Sequence, residues 1–445
     1  MLPAFGRRVV HHRSAHRCEW RLPHCNLTGI SMTLAESSPR PLDGVQVLDL
    51  SRVLAGPFAA QMLGDLGATV IKVERPGAGD DARKYGPGFL EAPDNTGQRQ
   101  SAFYLSTNRN KKSITIDMGK SGGQRLVREL VSRCDVLIEN FKFGTLTRYG
   151  LDFETLSAIN PRLVYCSITA FGQTGPYRNR PGYDGIFQAG SGLMSVTGLP
   201  DDQPGGGPMK VGPSIVDVLT GYNAAIAILA ALRHRDQVSG KGQHIDLALF
   251  DTAVAAASHY PTDYLVTGNV PVRKGTEGNG GMPAGVFDCA DRPIMLAVGN
   301  DEQFARFCEV IDRPDLVADK RYASVPQRSD NRRPLVSAIQ QSLSCWNSGE
   351  LLEMLEKAGV PAGPVNDYSE VFGDPHSLAR GLTVRTSHPY RADLQLIANP
   401  IRFSETPVET YRAPPLLGEN TDEILSGLLG FDAETIEALK RDAII

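Results

Sequence analysis

The sequence predicts an α/β fold, and two observations support this. Gly44–Leu50 and Thr69–Glu74 are apolar, partly β-branched runs typical of strands, and Phe58–Leu66 between them has helical spacing. The same order then repeats, with a helix at Gly122–Arg133 and a strand at Asp135–Glu139. Strands that alternate with helices predict βαβ units built around a parallel sheet.

The first βαβ unit resembles a dinucleotide-binding Rossmann unit but lacks its fingerprint. Its second strand ends in Glu74, at the place where a Rossmann unit holds a ribose with an acid. The loop Ser51–Pro57 reads SRVLAGP and contains no GxGxxG, so it cannot cradle a pyrophosphate in the usual way. Arg75 and the glycines after it offer a cation and open backbone to a phosphate instead. A nicotinamide-dependent enzyme is therefore the weaker hypothesis.

Other candidate ligand-binding residues stand near the ends of the following strands. Arg109 belongs to a basic turn, NRNKKS, before the strand Ile114–Asp117. Asn140 and Phe141 follow the strand Asp135–Glu139 directly, and ligands of open α/β sheets bind at the carboxyl ends of strands. Each feature also has an ordinary structural explanation, because basic clusters are usually solvated and an aromatic residue after a strand usually packs in the core.

A single carboxylate, Asp217, stands at the front of a long apolar helix. Gly-Pro-Ser precedes it, Val218–Leu232 has helical spacing, and His244–Phe250 alternates like a half-buried strand. An acid at a helix start is often only a cap, since it suits the positive end of the helix dipole. The alternative is a reactive carboxylate, and we expect the helix start to keep it ionised.

Composition excludes several classes of protein. The chain has 445 residues, which predicts more than one substructure, and its formal charge of −4 argues against nucleic-acid binding. Ala224–Leu232 is too short to span a membrane and reads as a buried helix. The seven cysteines form no CxxC pair, which indicates neither a metal site nor a disulfide framework.

The first 38 residues differ from the rest of the chain. Residues 1–35 contain Arg7, Arg8, Arg13, Arg17 and Arg21 but only one acid, Glu19. A segment rich in arginine, poor in acids and containing serine is typical of a mitochondrial transit peptide. Residues 1–38 are therefore predicted to be a transit peptide, which implies a location in the mitochondrial matrix.

Many separate blocks of the chain resemble one family. They include PLDGVQVLDLSRVLAGPFAAQMLGDLGATVIKVERPGAGD, DVLIENFKFGTLTRYGL, RPGYDGIFQAGSGLM and VDVLTGYNAAIAILAALRHRDQVSGKGQHIDLALFD. In order and together with later blocks such as AGVPAGPVNDYSEVFGDPH, they resemble the class III CoA-transferases of the formyl-CoA and carnitine type. The resemblance covers residues 41 to 445.

The resemblance implies a set of site residues. The nucleophile of the family falls at Asp217, and Tyr183 and Asp184 fall near the reacting centre. The positions that match CoA-binding residues are Val53, Leu54, Ala55, Arg75, Ile116, Lys120, Asn140, Phe141 and Arg148. Leu54 departs from formyl-CoA transferase, which has Gln there, so a side-chain hydrogen bond is lost. No cofactor or metal is implied, because the CoA thioester is a substrate.

The resemblance also implies the substrates and a lid. The most similar family members move CoA from succinyl-CoA to dicarboxylic acids such as glutarate or 3-hydroxy-3-methylglutarate. The distal carboxylate of such an acid suits an arginine, and the candidates are Arg109, Arg178 and Arg180. A glycine-dense stretch with Gly278, Gly280 and Gly281 matches a loop of the family and is predicted to close over the site.

The chain is expected to divide into a large and a small domain. Residues 39–260 form the first part of a Rossmann-like large domain, and His259–Val272 is a crossing linker. Residues 270–365 form a small α+β domain with strands within Gly285–Val298 and helices after them. Residues 366–445 return to the large domain. The resemblance implies that two such chains interlock as a homodimer, with no nucleic-acid or membrane partner.

Two further hypotheses stay open at this point. An α-methylacyl-CoA racemase shares this fold and the aspartate, but it uses a His–Asp pair as two bases, and this chain has Tyr183 where a racemase has histidine. A non-catalytic acyl-CoA-binding protein is the other alternative, and the intact Asp217 argues against it.

Overall fold

A parallel sheet lies at the centre of the fold. The computed structural model of the chain describes residues 40–94, 96–278 and 280–445, so the predicted transit peptide, residues 1–38, lies outside the described residues. In the first half of the chain the elements are β1 (Gln46–Asp49), α1 (Ala55–Asp65), β2 (Thr69–Glu74), β3 (Phe89–Glu91), β4 (Arg99–Ser101), α2 (Ala102–Leu105), β5 (Lys111–Thr115), α3 (Ser121–Val131), β6 (Val136–Glu139), α4 (Thr145–Tyr149), α5 (Phe153–Ile159), β7 (Val164–Thr169), α6 (Asp184–Gly190), α7 (Leu193–Val196) and α8 (Ile215–His234).

The second half of the chain completes this sheet and adds two smaller ones. Its elements are β8 (His244–Ala248), α9 (Leu249–Ala256), α10 (His259–Thr267), β9 (Ala284–Asp288), β10 (Pro293–Ala297), α11 (Asp301–Val310), α12 (Pro314–Ala318), α13 (Val325–Asp330), α14 (Arg332–Leu343), α15 (Ser348–Lys357), β11 (Ala362–Pro364), α16 (Tyr368–Gly373), α17 (Pro375–Ala379), β12 (Thr383–His388), β13 (Arg391–Ile397), α18 (Thr421–Leu429) and α19 (Ala433–Arg441). Short 3-10 helices span Asp81–Lys84 and Lys320–Tyr322, and one turn of π-helix at Arg235–Ser239 extends α8.

The central sheet has the strand order β5-β2-β1-β6-β7-β8, and all its pairs are parallel. The order reverses between β1 and β6, since the chain first builds outward through β2 and β5 and then crosses to the other side. Such a switch point opens a crevice at the carboxyl ends of the two strands, where ligands of doubly wound sheets bind. The predicted α/β class with a parallel sheet is confirmed.

Each face of the sheet is covered by helices, because successive strand residues point to opposite sides. Val47 packs in a buried cluster with residues of α1 and α8, whereas Leu48 packs in a cluster with residues of α3. The second cluster also contains Ile424, Leu425 and Ile436 of α18 and α19. The last helices of the chain therefore return to the sheet that the first strands begin.

A third buried cluster is built from Met282 to Val360, around the antiparallel sheet β11-β10-β9. The predicted pair of strands within Gly285–Val298 is confirmed. One local prediction was wrong, because β8 ends at Ala248, where α9 begins. The segment predicted as a crossing linker contains α10 (His259–Thr267). The hairpin of β12 and β13 was not predicted.

The helix of Asp217 is longer than the sequence predicted. Together with its turn of π-helix it spans Ile215–Ser239, and by length and composition alone it could cross a membrane. Its residues Ala224 and Ile228 are buried in the same cluster as Val47 and residues of α1. This packing is that of a core helix beside the sheet.

Candidate active site

A cavity of about 460 Å³ lies at the carboxyl ends of β1, β6 and β7. Its lining includes Val53, Leu54 and Ala55 after β1, Asn140 and Phe141 after β6, and Asp217 from α8. These residues come from distant parts of the sequence and meet at the switch point of the sheet. Because ligands of such sheets bind at this crevice, the cavity is the candidate active site.

Asp217 is the third residue of α8, and its side chain lines the cavity. The N-cap of this helix is Ser214, so Asp217 is not the cap that its position in the sequence allowed. Burial and then the negative charge of Asp184 raise the pKa of Asp217 from 3.8 to about 7. The expectation that the helix start keeps this carboxylate ionised was therefore wrong.

Asp184 explains why the helix start does not stabilise a charge on Asp217. Its Oδ1 accepts hydrogen bonds from the backbone N–H groups of Val216 at 2.8 Å and Asp217 at 3.2 Å. Gln188 donates to Oδ2 at 2.5 Å and holds the carboxylate in place. The buried Asp184 thus caps α8 from outside the helix and occupies two backbone N–H donors at its start, which are then not available to the carboxylate of Asp217.

Close packing of α8 on α1 brings Asp217 against the loop that follows β1. Gly221 lies one turn after Asp217, and a Cβ placed on it would be 2.8 Å from the carbonyl oxygen of Ala55. Only glycine allows the two helices to approach this closely. The start of α1 and the start of α8 therefore lie side by side in the lining of the cavity.

Asn140 contacts the loop after β1 through its side chain. Its Oδ1 accepts from the N–H of Arg52 at 2.9 Å, and its Nδ2 donates to the carbonyl of Arg52 at 2.7 Å. The amide is occupied on both sides, so its side chain shapes the loop. Phe141 is half-buried, lines the cavity and lies 5.1 Å from the guanidinium of Arg52, measured to the ring centroid.

A second cavity of about 280 Å³ adjoins the first and shares Arg52 and Phe141 with it. Arg75 and Ile116, two of the residues predicted to bind CoA, line the second cavity. Lys120 was predicted to belong there too, but its ammonium donates to the carbonyls of Asp442 and Ala443 at 2.8 and 3.0 Å. The prediction for the Lys120 side chain was therefore wrong, since the end of α19 holds it.

The charged residues that line the larger cavity are mainly cations. Arg148 lies there on α4, and Arg178 and Arg180 lie on the loop before α6. The guanidinium of Arg178 stacks 4.8 Å from the ring centroid of Phe143, and that of Arg180 stacks 3.7 Å from Tyr177. Tyr183, which also lines the cavity, is 76% exposed. A cavity of this charge suits an anionic ligand.

Arg109 was a wrong choice for the distal carboxylate of a substrate. Its guanidinium is buried and forms a two-pronged pair with Asp65, with Nε–Oδ1 and Nη2–Oδ2 distances of 3.0 and 2.5 Å. The same carboxylate accepts from Asn110 and Asn399. Arg109 therefore fastens α1 to the loop before β5 and to the C-terminal region.

Glu74 is likewise committed to other partners. Its carboxylate accepts from Nε and Nη2 of Arg83, both at 2.7 Å, and from the Ser113 hydroxyl at 2.7 Å. It also accepts from the backbone N–H of Asp80 at 2.9 Å, and it is buried. A ribose would find no acceptor on it, which removes the sequence argument for a nicotinamide cofactor.

The glycines of the predicted lid are outside the cavity lining in the described part of the chain. Gly278 and Gly280 are exposed, and a Cβ on Gly281 would be 1.9 Å from the carbonyl oxygen of Val298. Gly281 thus packs against the end of β10. Closure of this stretch over Asp217 stays a prediction.

Several site residues were missed in the sequence. Arg52, Lys142 and Phe143 line the cavity, and Asp80 holds the loop from behind. Arg52 and Lys142 carried a signal, since each is a cation just after a strand end, like the residues that were chosen. Asp80 carried none, because its partner is a backbone N–H 27 residues earlier in the chain. Among the described residues, no group of three or more His, Cys, Asp or Glu side chains could hold a metal ion.

Comparisons with known proteins agree on one family. The sequence model of CoA-transferase family III matches residues 42–421. A succinate–glutarate CoA-transferase of Agrobacterium fabrum is 44% identical over 91% of this chain and 99% of its own length. A human succinyl-CoA:glutarate CoA-transferase is 39% identical over 91% of this chain and 90% of its own. The crystal structure of a CaiB/BaiF family protein from Brucella suis superposes with a TM-score of 0.79 at 42% identity, covering 87% of this chain and 99% of that one.

Proposed function

The chain belongs to CoA-transferase family III, and we propose that it moves CoA from succinyl-CoA to a dicarboxylic acid, with Asp217 as the nucleophile. Glutarate is the first acceptor to expect, since relatives at 44% and 39% identity carry that activity in their names. 3-Hydroxy-3-methylglutarate is a second. The observation that carries the role of Asp217 is its position in a largely cationic cavity at the sheet switch point.

The reaction needs no energy input, because one thioester replaces another. The carboxylate of Asp217 attacks the thioester carbon of succinyl-CoA, and the C–S bond breaks to give a mixed anhydride and CoA thiolate. The thiolate attacks the Asp217 acyl carbon, releases succinate and leaves an aspartyl-CoA thioester. The acceptor carboxylate then displaces the thiolate and forms a second anhydride. Attack of the thiolate on the acceptor carbonyl gives the new acyl-CoA and restores Asp217.

Burial of Asp217 suits this chemistry. Poor solvation makes a carboxylate a better nucleophile, and a cavity that excludes water protects the anhydrides from hydrolysis. The raised pKa means that the free enzyme must lose a proton from Asp217 before attack, near pH 7.

The two cavities together supply a path for CoA. The adenine nucleotide would lie by Arg75 and Ile116, and the pantetheine arm would pass Arg52 and Phe141 to reach Asp217. Val53, Leu54, Ala55, Asn140 and Arg148 would complete the walls of this path. No cofactor or metal is required, since the CoA thioester itself is the substrate.

The distal carboxylate of the dicarboxylic acid would be bound by Arg178 or Arg180. Both line the Asp217 cavity, and both guanidinium groups are stacked on aromatic rings, which leaves their edges available for a carboxylate. Tyr183 and Asp184 act beside the reacting centre, Tyr183 at the cavity wall and Asp184 through the start of α8.

Assembly and location are part of the proposal. Residues 39–260 with 366–445 would form the large domain and 270–365 the small one, and two chains would interlock. Apolar side chains at the end of α10 and just after it support a partner surface, since Leu265, Val266, Val270 and Val272 are 80, 78, 73 and 65% exposed. The composition of residues 1–38 supports import into the mitochondrial matrix.

The proposal is tested by a transfer assay with purified protein. Succinyl-CoA and glutarate should give succinate and glutaryl-CoA in equal amounts, and Asp217→Ala should abolish the exchange. A panel of mono- and dicarboxylic acids then defines the acceptor. Exchange of the α-proton of a branched acyl-CoA with deuterated solvent, without CoA transfer, would favour the racemase hypothesis and overturn this one.

A further inference from the structure

The loop between β1 and α1 holds one residue in an unfavourable conformation. Val53 has a φ of +72°, in the left-handed region that β-branched residues avoid. It lies at the wall of the Asp217 cavity, directly before Leu54 and Ala55. A valine stays in this conformation only when its surroundings hold the backbone in place.

A fully buried ion pair holds that backbone. The N–H of Val53 donates to both carboxylate oxygens of Asp80, at 3.0 and 3.3 Å. Asp80 pairs with the ammonium of Lys72 at 2.9 Å, and both side chains are completely buried. The same ammonium donates to the carbonyl of Ser51 at 2.9 Å. One ion pair therefore fixes the loop on both sides of Arg52.

Asp49 and Lys111 extend the network beneath the loop. Asp49 accepts from the Ser51 N–H at 3.0 Å and pairs with Lys111 at 2.9 Å, while Lys72 lies 4.0 Å from it. Burial opposes ionisation of Asp80, but the charge of Lys72 and its hydrogen bonds outweigh this and lower the pKa of Asp80. Burial likewise opposes the charge on Lys72, whose pKa is nevertheless raised by Asp80 and Asp49.

Burying the charges of Asp80 and Lys72 costs desolvation free energy, so the pair is better explained by a role in positioning the loop than by stability. Replacing a buried ion pair with apolar residues of similar volume is often neutral or stabilising, so stability alone does not call for one. A pair that grips two backbone groups of a ligand-facing loop offers what apolar packing cannot, namely a fixed direction for that loop.

We propose that Asp80 and Lys72 are positioning residues that hold Val53 in its left-handed conformation and thereby set Leu54 and Ala55 at the wall facing Asp217. Neither ion-pair side chain touches the substrate in this scheme. The inference rests on the proposed function, because its kinetic effect is read as CoA transfer. Its structural part, the dependence of the loop on Asp80, can be measured without turnover.

The test is a double-mutant cycle of Asp80→Asn and Val53→Gly. Asp80→Asn should lower kcat/KM for succinyl-CoA by about 10- to 100-fold, since an active-site wall displaced by about 1 Å can cost 100-fold. Glycine adopts a positive φ without strain. Adding Val53→Gly to Asp80→Asn should therefore raise kcat/KM at least about 5-fold above that of Asp80→Asn alone. Amide hydrogen exchange of residues 51–55 should rise in Asp80→Asn and should be measured on every variant.

Asp65→Asn is the matched control, because it breaks another buried pair, with Arg109, away from this loop. Asp65→Asn should lower thermal stability and leave amide hydrogen exchange of residues 51–55 unchanged. Adding Val53→Gly to it should not raise kcat/KM. The positioning role is refuted if the losses of kcat/KM in Asp80→Asn and Val53→Gly simply multiply in the double variant. It is also refuted if amide hydrogen exchange of residues 51–55 does not rise in Asp80→Asn. If wild-type protein transfers no CoA while exchange still depends on Asp80, the proposed function fails and the loop mechanism stands.

Discussion

Asp217→Asn should make the protein more stable, and increasingly so as the pH rises. The pKa of Asp217 is raised from 3.8 to about 7 by burial and by Asp184. Between these values the native state keeps a proton that the unfolded chain has lost, so wild-type stability falls as the pH rises from about 4 to 7. Asparagine has no proton to lose, and the variant escapes this penalty.

The size of the effect follows from the shift. A displacement of about three pKa units at about 1.4 kcal/mol each gives a penalty of about 4 kcal/mol above pH 7, as an upper bound. At pH 5 roughly 1.6 kcal/mol of it is already present, so the stability difference between variant and wild type should grow by roughly 2 to 3 kcal/mol from pH 5 to pH 8.

Urea unfolding of both proteins at several pH values measures this difference. Asp81→Asn is the matched control, because Asp81 lines the same cavity but its side chain is 54% exposed. A stability difference for Asp217→Asn that stays constant from pH 5 to pH 8 would show that the native state does not raise the pKa of Asp217.

Three more outcomes are expected. Asp184→Asn removes the charge beside Asp217, so the acid limb of the kcat/KM profile, near pH 7 in wild type, should move to lower pH; an unmoved limb would show that this charge does not govern the titration. Arg178→Gln or Arg180→Gln should raise the KM for glutarate about 10-fold or more and leave the KM for a monocarboxylic acceptor nearly unchanged, and equal losses for both acceptors would exclude that arginine. Gly221→Ala should cost about 1 to 3 kcal/mol in urea unfolding, because its Cβ meets the α1 backbone, whereas a neutral result would mean that the helices can separate without cost.

The sequence predicted the parts of the site that depend on chain order. Asn140 follows β6 and Asp217 begins α8, and the alternation of strands and helices already implies that strand ends meet at one edge of the sheet. The antiparallel strands within Gly285–Val298 were predicted as well, because a turn at Asp291 and Arg292 separates two apolar runs.

The errors concern side chains whose partners are far away in sequence. Arg109 and Lys120 read as available cations, but their acceptors lie 44 and 322 residues away and exist only in the folded chain. The ionisation of Asp217 was misjudged for the same reason, since burial in the folded chain raises its pKa and the carboxylate of Asp184, 33 residues earlier, occupies donors at the helix start. Local patterns predict which backbone segments form, whereas the protonation and pairing of side chains depend on tertiary neighbours.

The proposed mechanism depends most on a covalent bond between CoA and Asp217. The direct measurement is mass spectrometry of the protein after incubation with succinyl-CoA and trapping with hydroxylamine or borohydride, with Asp217→Ala alongside. We expect a modified peptide that contains Asp217 in wild type and no such peptide in the variant. An unmodified Asp217 in protein that is actively exchanging CoA would contradict it.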